Sequence, residues 1–277
     1  MRFPSVFALL FAALAACSPA AAPPVVVAPA QPPPTASCPA PPTPELRAWM
    51  DQSSVVARVT ILRPHAKLPD ALERDLDHLA VARLDAVLAE NKRFVSGLVG
   101  SEVTLHVEHP VTSGEQLVFF GNTGSIGASV SLVEVGSYRD DGSNAEERIA
   151  VARRDRDRRD LGARIRGSRW VLTGRVVSVG QPQGRTPISE HDGFFTEAVI
   201  ATEDALAGAP PPRVRVRFAS STDVAWWHAP KLTVGEEAVF FVQPSDDPAF
   251  AGDVLREDDV RPLAQRAAVA DVLRCPA

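Results

Sequence analysis

Gly114-Glu115-Gln116-Leu117-Val118-Phe119-Phe120 and Gly235-Glu236-Glu237-Ala238-Val239-Phe240-Phe241 are one signal met twice, 121 residues apart. In each, a glycine breaks the chain, a glutamate keeps the turn wet and a short hydrophobic run follows, the pattern of a turn feeding a buried strand. Working outward, three more blocks recur in the same order. Val55-Val56-Ala57-Arg58-Val59-Thr60 answers Leu172-Thr173-Gly174-Arg175-Val176-Val177 at an offset of about 117. Ala80-Val81 with Asp85-Ala86-Val87-Leu88-Ala89 answers Ala198-Val199 with Glu203-Asp204-Ala205-Leu206-Ala207 at 118. Glu102-Val103-Thr104-Leu105-His106-Val107 answers Arg213-Val214-Arg215-Val216-Arg217-Phe218 at 111. Spacing this steady across four blocks implies an internal duplication.

Each copy is built from strands. Val103, Leu105 and Val107 alternate with Thr104, His106 and Glu108, and Val214, Val216 and Phe218 alternate with Arg215 and Arg217, so each ribbon buries one face and wets the other. Copy one ends in Val130 to Val135 and copy two in Val254 to Val260, which makes five strands per copy, enough for a small barrel. Helices flank them. Residues 45–52 follow Thr43-Pro44, a cap with a proline entry; 144–167 open at Asn144 with Glu146 and Glu147 in the first turn; 263–273 take the equivalent place after copy two.

The order of these features resembles the OB-like barrel of the netrin and tissue-inhibitor-of-metalloproteinases type. The resemblance rests on Gly174-Arg175-Val176 in a first strand, a long second strand running into Leu206-Ala207-Gly208, an alternating third strand, and Val234-Gly235-Glu236 before a hydrophobic one. It implies a mostly β chain with flanking helices: two tandem OB-like five-stranded barrels, each followed by a helix. The first domain then spans 45–143, an Arg-rich linking helix 144–167 and the second domain 168–277. The inhibitors use a free N-terminal cysteine on a protease zinc, and that mechanism is not carried over to this chain, for reasons that lie in its N-terminal region.

The N-terminal region carries an address. Arg2 precedes the apolar run Val6 to Leu14, about half of the roughly 20 residues a spanning helix needs, and small residues end it: a secretory signal over 1–16. Leu14-Ala15-Ala16-Cys17 resembles the lipobox of bacterial lipoproteins, which implies cleavage before Cys17 and acylation of its thiol. The plainer reading is an ordinary signal peptide with an incidental cysteine. Ser18 after the cysteine, by resemblance to enterobacterial sorting, favours the outer membrane. Residues 17–44 then form a spacer: 11 of the 25 prolines fall between Ser18 and Pro44, where no residue is charged. Such a stretch is extended at roughly 3.1 Å per residue and gives reach without a core.

Cys38 and Cys275 bracket the folded region, and an oxidising compartment favours a disulfide between them; the alternative is free or intermolecular thiols. No CxxC accompanies them to suggest a metal. The net charge of −5 argues against a nucleic-acid coat, and the excess of arginine over the three lysines (Lys67, Lys92, Lys231) reflects base composition rather than phosphate recognition. Eight arginines lie between Arg148 and Arg166, interleaved with Asp155, Asp157 and Asp160, so this helix reads as solvated and self-paired, as in Asp155 with Arg159. His106 and Glu108 share a strand face beside His109, but no third ligand is visible, and the face reads as polar surface rather than a metal site; His65, His78, His191 and His228 are scattered. No nucleophile elbow or phosphate loop appears, and the carboxylate clusters Asp246-Asp247 and Glu257-Asp258-Asp259 read as solvated turn or edge sequence, so neither catalytic residues nor a cofactor are assigned.

Trp226-Trp227-His228 stands out, because in extended chain the two indoles point to opposite faces and one must find cover beyond its own core. That cover is either the neighbouring barrel or the loop near Pro230, or else a ligand or partner. From Ser54 onward copy one has no tryptophan, whereas copy two holds Trp170, Phe194, Phe195, Trp226 and Trp227. The chain reads as a non-catalytic, lipid-anchored, monomeric envelope protein whose partner, a protein or a glycan, meets Trp226, Trp227 and His228. The alternative is an envelope hydrolase or an inhibitor-like protein whose active groups meet only in three dimensions. Cys17→Ala is expected to abolish acylation and move the protein to the soluble fraction or leave it uncleaved, as membrane fractionation with intact-mass measurement would show.

Overall fold

The computed structural model describes residues 38–67, 77–91, 95–126, 129–142, 144–180, 191 and 193–276. The expected signal segment 1–16, Cys17 and most of the expected spacer lie outside the described residues. Pro39–Ala277 form one compact unit. It is mostly β, and among the described residues no helix is long and apolar enough to cross a membrane. Cys38 and Cys275 are disulfide-bonded.

Copy one is a closed barrel. Its strands are β1 (Val55–Arg63), β2 (Leu79–Glu90), β3 (Glu102–His106), β4 (Gln116–Ile126) and β5 (Ser129–Arg139), joined in the order β1-β2-β3-β5-β4 and back to β1. The pairings are antiparallel except β3 with β5. Period-two alternation fills the inside: Val55, Ala57, Val59 and Ile61 of β1 meet Leu84, Leu105, Phe119 and Leu132 in one cluster. The alternate residues Val56, Val118 and Phe120 point outward, where α1 (Pro44–Gln52) and the first half of α2 (Ala145–Gly167) cover them with Leu46, Met50, Ile149 and Ala152. Trp49 lies on Gly136 of β5 so closely that a Cβ there would sit 2.2 Å from the indole, so only glycine admits α1 at this distance.

Copy two repeats the order with one break. Strands β6 (Trp170–Val179), β7 (Phe195–Ala207), β8 (Arg213–Ala219) and β9 (Glu237–Val242) correspond to β1 to β4. The fifth is split: β10 (Gly252–Asp253) runs parallel to β8, a 3-10 turn follows over Glu257–Asp259, and β11 (Val260–Pro262) runs antiparallel to β9. The result is a six-stranded sheet, β10-β8-β7-β6-β9-β11, rather than the second closed five-stranded barrel the sequence suggests. An isolated bridge between Gln243 and Asp253 is what remains of the closure. The inner face holds Leu172, Val176, Ile200, Val216, Phe240 and Val254. Val171, Val239 and Phe241 face outward under Leu161 of α2 and under Val269 and Val272 of α3 (Arg266–Arg274). The C-terminal helix therefore begins three residues later than its pattern suggests, after a 3-10 turn at Leu263–Gln265.

The repeat is stricter in space than in sequence. The β1/β2 ladder slips at Val56/Ala57, Arg58/Val59 and Ile61/Arg63, and the β6/β7 ladder slips at Val171/Leu172, Thr173/Gly174 and Val176/Ser178, all three at an offset of 115. The offset of 117 read from the sequence for this first strand is thus two residues too long. A two-residue slide keeps every side chain on its face, which is why the hydrophobic pattern alone does not expose the error. The Gly-Glu turns are also the same object. Gly114 and Gly235 have φ of +82° and +90°, their amides donate to Ile61 and Val176 carbonyls at 2.8 Å, and the Glu115 and Glu236 carboxylates accept from the Thr112 and Thr233 amides. Burial raises the Glu115 carboxyl, yet the Thr112 amide and Arg139 outweigh it and hold it below the ordinary range.

Two helix expectations need correction. Asn144 sits at the N-cap position of α2 with φ of 52°, left-handed, and its side chain caps nothing, because a capping side chain needs extended backbone there. Nor is α2 simply solvated and self-paired. Asp155 does meet Arg159 at 3.0 Å, but it also takes two 3.0 Å bonds from Arg47 of α1, and Arg159 reaches Asp51. At the far end Arg164 pairs with Asp258 and with the fully buried Asp259. Asp259 accepts from the Leu255 and Arg256 amides at 2.9 and 2.8 Å and fixes the chain where the fifth strand breaks. Burial pushes the Asp259 carboxyl up and the Arg164 guanidinium down, so the cost of desolvation offsets much of their attraction, and the pair serves geometry more than net stability. Asp259→Ala is expected to cost about 2–4 kcal/mol by orphaning buried donors, and Asp258→Ala, whose carboxylate is half exposed, less than about 1 kcal/mol, in denaturant titration.

Candidate functional site: the Trp226-Trp227 turn

The tryptophan pair lies between β8 and β9, and its backbone is turned rather than extended. The Trp226 amide donates to the Asp223 carbonyl and the Ala229 amide to the Trp226 carbonyl, both at 2.9 Å. Asp223 organises the entry: its carboxylate accepts from the Ala225 amide at 2.8 Å and contacts His191 Nδ1 at 3.1 Å. Those contacts hold the carboxyl below its usual range, the Ala225 amide bond contributing most. The two indoles still differ in cover, Trp226 half-buried and Trp227 exposed, and they do so in a turn rather than on an alternating strand.

Trp226 is the anchor. Its Nε1 donates to the His191 carbonyl at 2.9 Å, and its ring meets Phe195 edge-on at 5.3 Å. Lys231 closes the turn from beneath, its Nζ donating to the Ala219 and Trp226 carbonyls at 2.8 and 3.0 Å, and desolvation lowers its pKa. Phe194, at φ of +45°, is kept in this left-handed conformation by bonds to its carbonyl from the Ser220 amide and the Ser220 and Thr196 hydroxyls. The scaffold under the turn is therefore rigid.

Trp227 is the free end. It is 62% exposed, as is Val224 at 74%, and its ring meets that of His228 at 3.9 Å, tilted by 44°. His228 Nδ1 lies 3.5 Å from Glu257. The arrangement offers an apolar plate edged by imidazole and carboxylate groups, suited to holding a flat apolar surface while hydrogen-bonding its rim. Trp170, the other tryptophan of copy two, is elsewhere: it packs against the sheet interior with Arg169 over its ring at 4.4 Å.

The structure brings together residues that look scattered in sequence. His191 and His228 both belong to this turn, although neither is near a recognisable motif, and Phe195, Asp223 and Lys231 complete it. Only the Phe194-Phe195 doublet ahead of a long strand could have signalled the contact. His78 stacks on His106 at 5.5 Å, nearly parallel, while His109 meets Glu134 at 3.2 Å and His106 lies 3.7 Å from Glu108. Among the described residues no three such side chains converge as metal ligands.

Compared with models of known protein families and with curated proteins, the chain matches none. Trp226→Ala is expected to cost about 2–4 kcal/mol, through the lost indole hydrogen bond and ring contact, and Trp227→Ala no more than about 0.5 kcal/mol, measured by chemical denaturation.

Proposed function

We propose that this chain is a non-catalytic, lipid-anchored protein of the bacterial cell envelope, tethered at Cys17, that binds a protein or glycan partner through the Trp226-Trp227-His228 turn. The observation that carries the reading is the contrast between a pinned Trp226 and an exposed Trp227. A large apolar side chain left in water on a rigid support has no structural use of its own, and contact surfaces favour such aromatic anchors because few rotors are frozen on binding. Both halves are read as OB-like. The strand order β1-β2-β3-β5-β4 with a parallel β3/β5 pair supports this for copy one, and the same order with a split fifth strand supports it for copy two. Loops carry binding more often than the strands that support them, and the Trp-Trp turn is such a loop, between the third and fourth strands of copy two.

The anchor follows from the lipobox and the charge-free spacer, which together give a folded unit reach from a membrane surface. The test is a cross-linking pull-down from intact envelopes with the wild-type chain, Trp227→Ala and Cys17→Ala. Recovery of a protein or glycan that depends on Trp227 supports the reading. Equal recovery from wild type and Trp227→Ala in a folded protein overturns it.

A further inference from the structure

A cavity of about 650 Å³ opens between α2 and α3 under the chain's entry into the fold. Its walls are apolar: Pro39, Pro41, Val151, Leu161, Ala268 and Val272. Three arginines, Arg154, Arg158 and Arg261, and three aspartates, Asp155, Asp157 and Asp271, stand around it. By count these charges cancel, but their partners do not. Asp155 is held by Arg47 and Arg159, and Asp271 by Arg274. Among the described residues none of the three arginines has a carboxylate within ion-pair distance: Arg158 donates to the Cys275 carbonyl, Arg261 to Gln265 at 3.4 Å with its guanidinium 5.7 Å from the Phe241 ring, and Arg154 is exposed. Among the described lining residues Asp157 alone remains to offset three guanidinium groups.

We propose that this cavity binds a single-chain anionic amphiphile, a fatty carboxylate, with its hydrocarbon chain against Val151, Leu161 and Val272 and its carboxylate among Arg154, Arg158 and Arg261. The volume lies within the range of pockets that enclose one small ligand, about 300–1,000 Å³, and suits one acyl chain rather than two. Each methylene moved from water into such walls is worth about 0.8 kcal/mol, so the chain supplies affinity. Guanidinium groups match a carboxylate in planar geometry, so the head supplies orientation and selects the sign of charge. The Trp226-Trp227 turn takes no part in this site.

Titration calorimetry of the full chain with sodium laurate, below its micellar concentration, tests the assignment. The expected result is saturable one-site binding, at least tenfold weaker for dodecyltrimethylammonium, which carries the same chain length and the opposite charge. Arg154→Glu, an exposed position, is expected to weaken laurate roughly tenfold, and Ala268→Trp, which fills the cavity from α3, to abolish it. Trp227→Ala is expected to bind laurate as wild type does. Absence of saturable binding, equal affinity for the two amphiphiles, or laurate affinity unchanged in Arg154→Glu would each overturn the proposal. Loss of binding in Trp227→Ala would move the ligand to the other site and overturn it as well.

Discussion

Burial of Ile149 and Ala152 near the first end of α2, and of Leu161 near its last third, makes one helix the roof of two sheets. The first end closes over the outer face of the barrel together with α1, and the far end closes over the outer face of the second sheet together with α3. Apolar contact supplies the stability, at about 25 cal/mol per Å² removed from water, but these buried positions are few and the rest of the helix is charged. Orientation comes from polar contacts: Arg47 and Arg159 on Asp155, Arg156 on the Met50 carbonyl, Arg158 on the Cys275 carbonyl and Arg164 on Asp258. These contacts are part-buried and come from both ends of the helix, so together they fix its rotation and slide.

With both sheets hung from one helix, the two copies need not remain alike. In copy one β5 pairs with both β3 and β4 and closes the barrel, which leaves no sheet edge. In copy two the fifth strand is shared between β10 and β11, with Asp259 holding the break. The edges that result are two and three residues long, too short to template pairing with another chain. A buried carboxylate that accepts backbone donors thus takes over a task that continuous strand hydrogen bonds perform in the first copy.

The candidate binding features sit outside the repeated strands. The Trp226-Trp227 turn has a rigid base, in which Asp223, Lys231 and the Phe194 carbonyl fix the backbone, and a free indole at its tip. The cavity between α2 and α3 owes its shape to helix packing and its charge to which aspartates are already taken. Neither feature has a counterpart in the repeated strand blocks. The strand order and the three register slips recur in both copies, whereas the loops and helices around them differ.

The amino-acid sequence by itself determined a mostly β chain with flanking helices, most of the strands and their recurrence in two copies, and it favoured, without fixing, the disulfide between Cys38 and Cys275. These depend on period-two alternation, turn chemistry and composition, which act between residues close in the chain or repeat visibly along it. Asymmetry between Trp226 and Trp227 was legible too, though for the wrong reason, since a turn and not a strand separates them. Only the tertiary structure decided the 115-residue register of the first strands, the split of the fifth strand around Asp259, the stacking of His78 on His106, and the conversion of an apparently solvated arginine helix into the shared roof. Each of these depends on hydrogen bonds, ring contacts or ion pairs between residues distant in the chain, whose side chains carry the same local signal whether they face water or a partner.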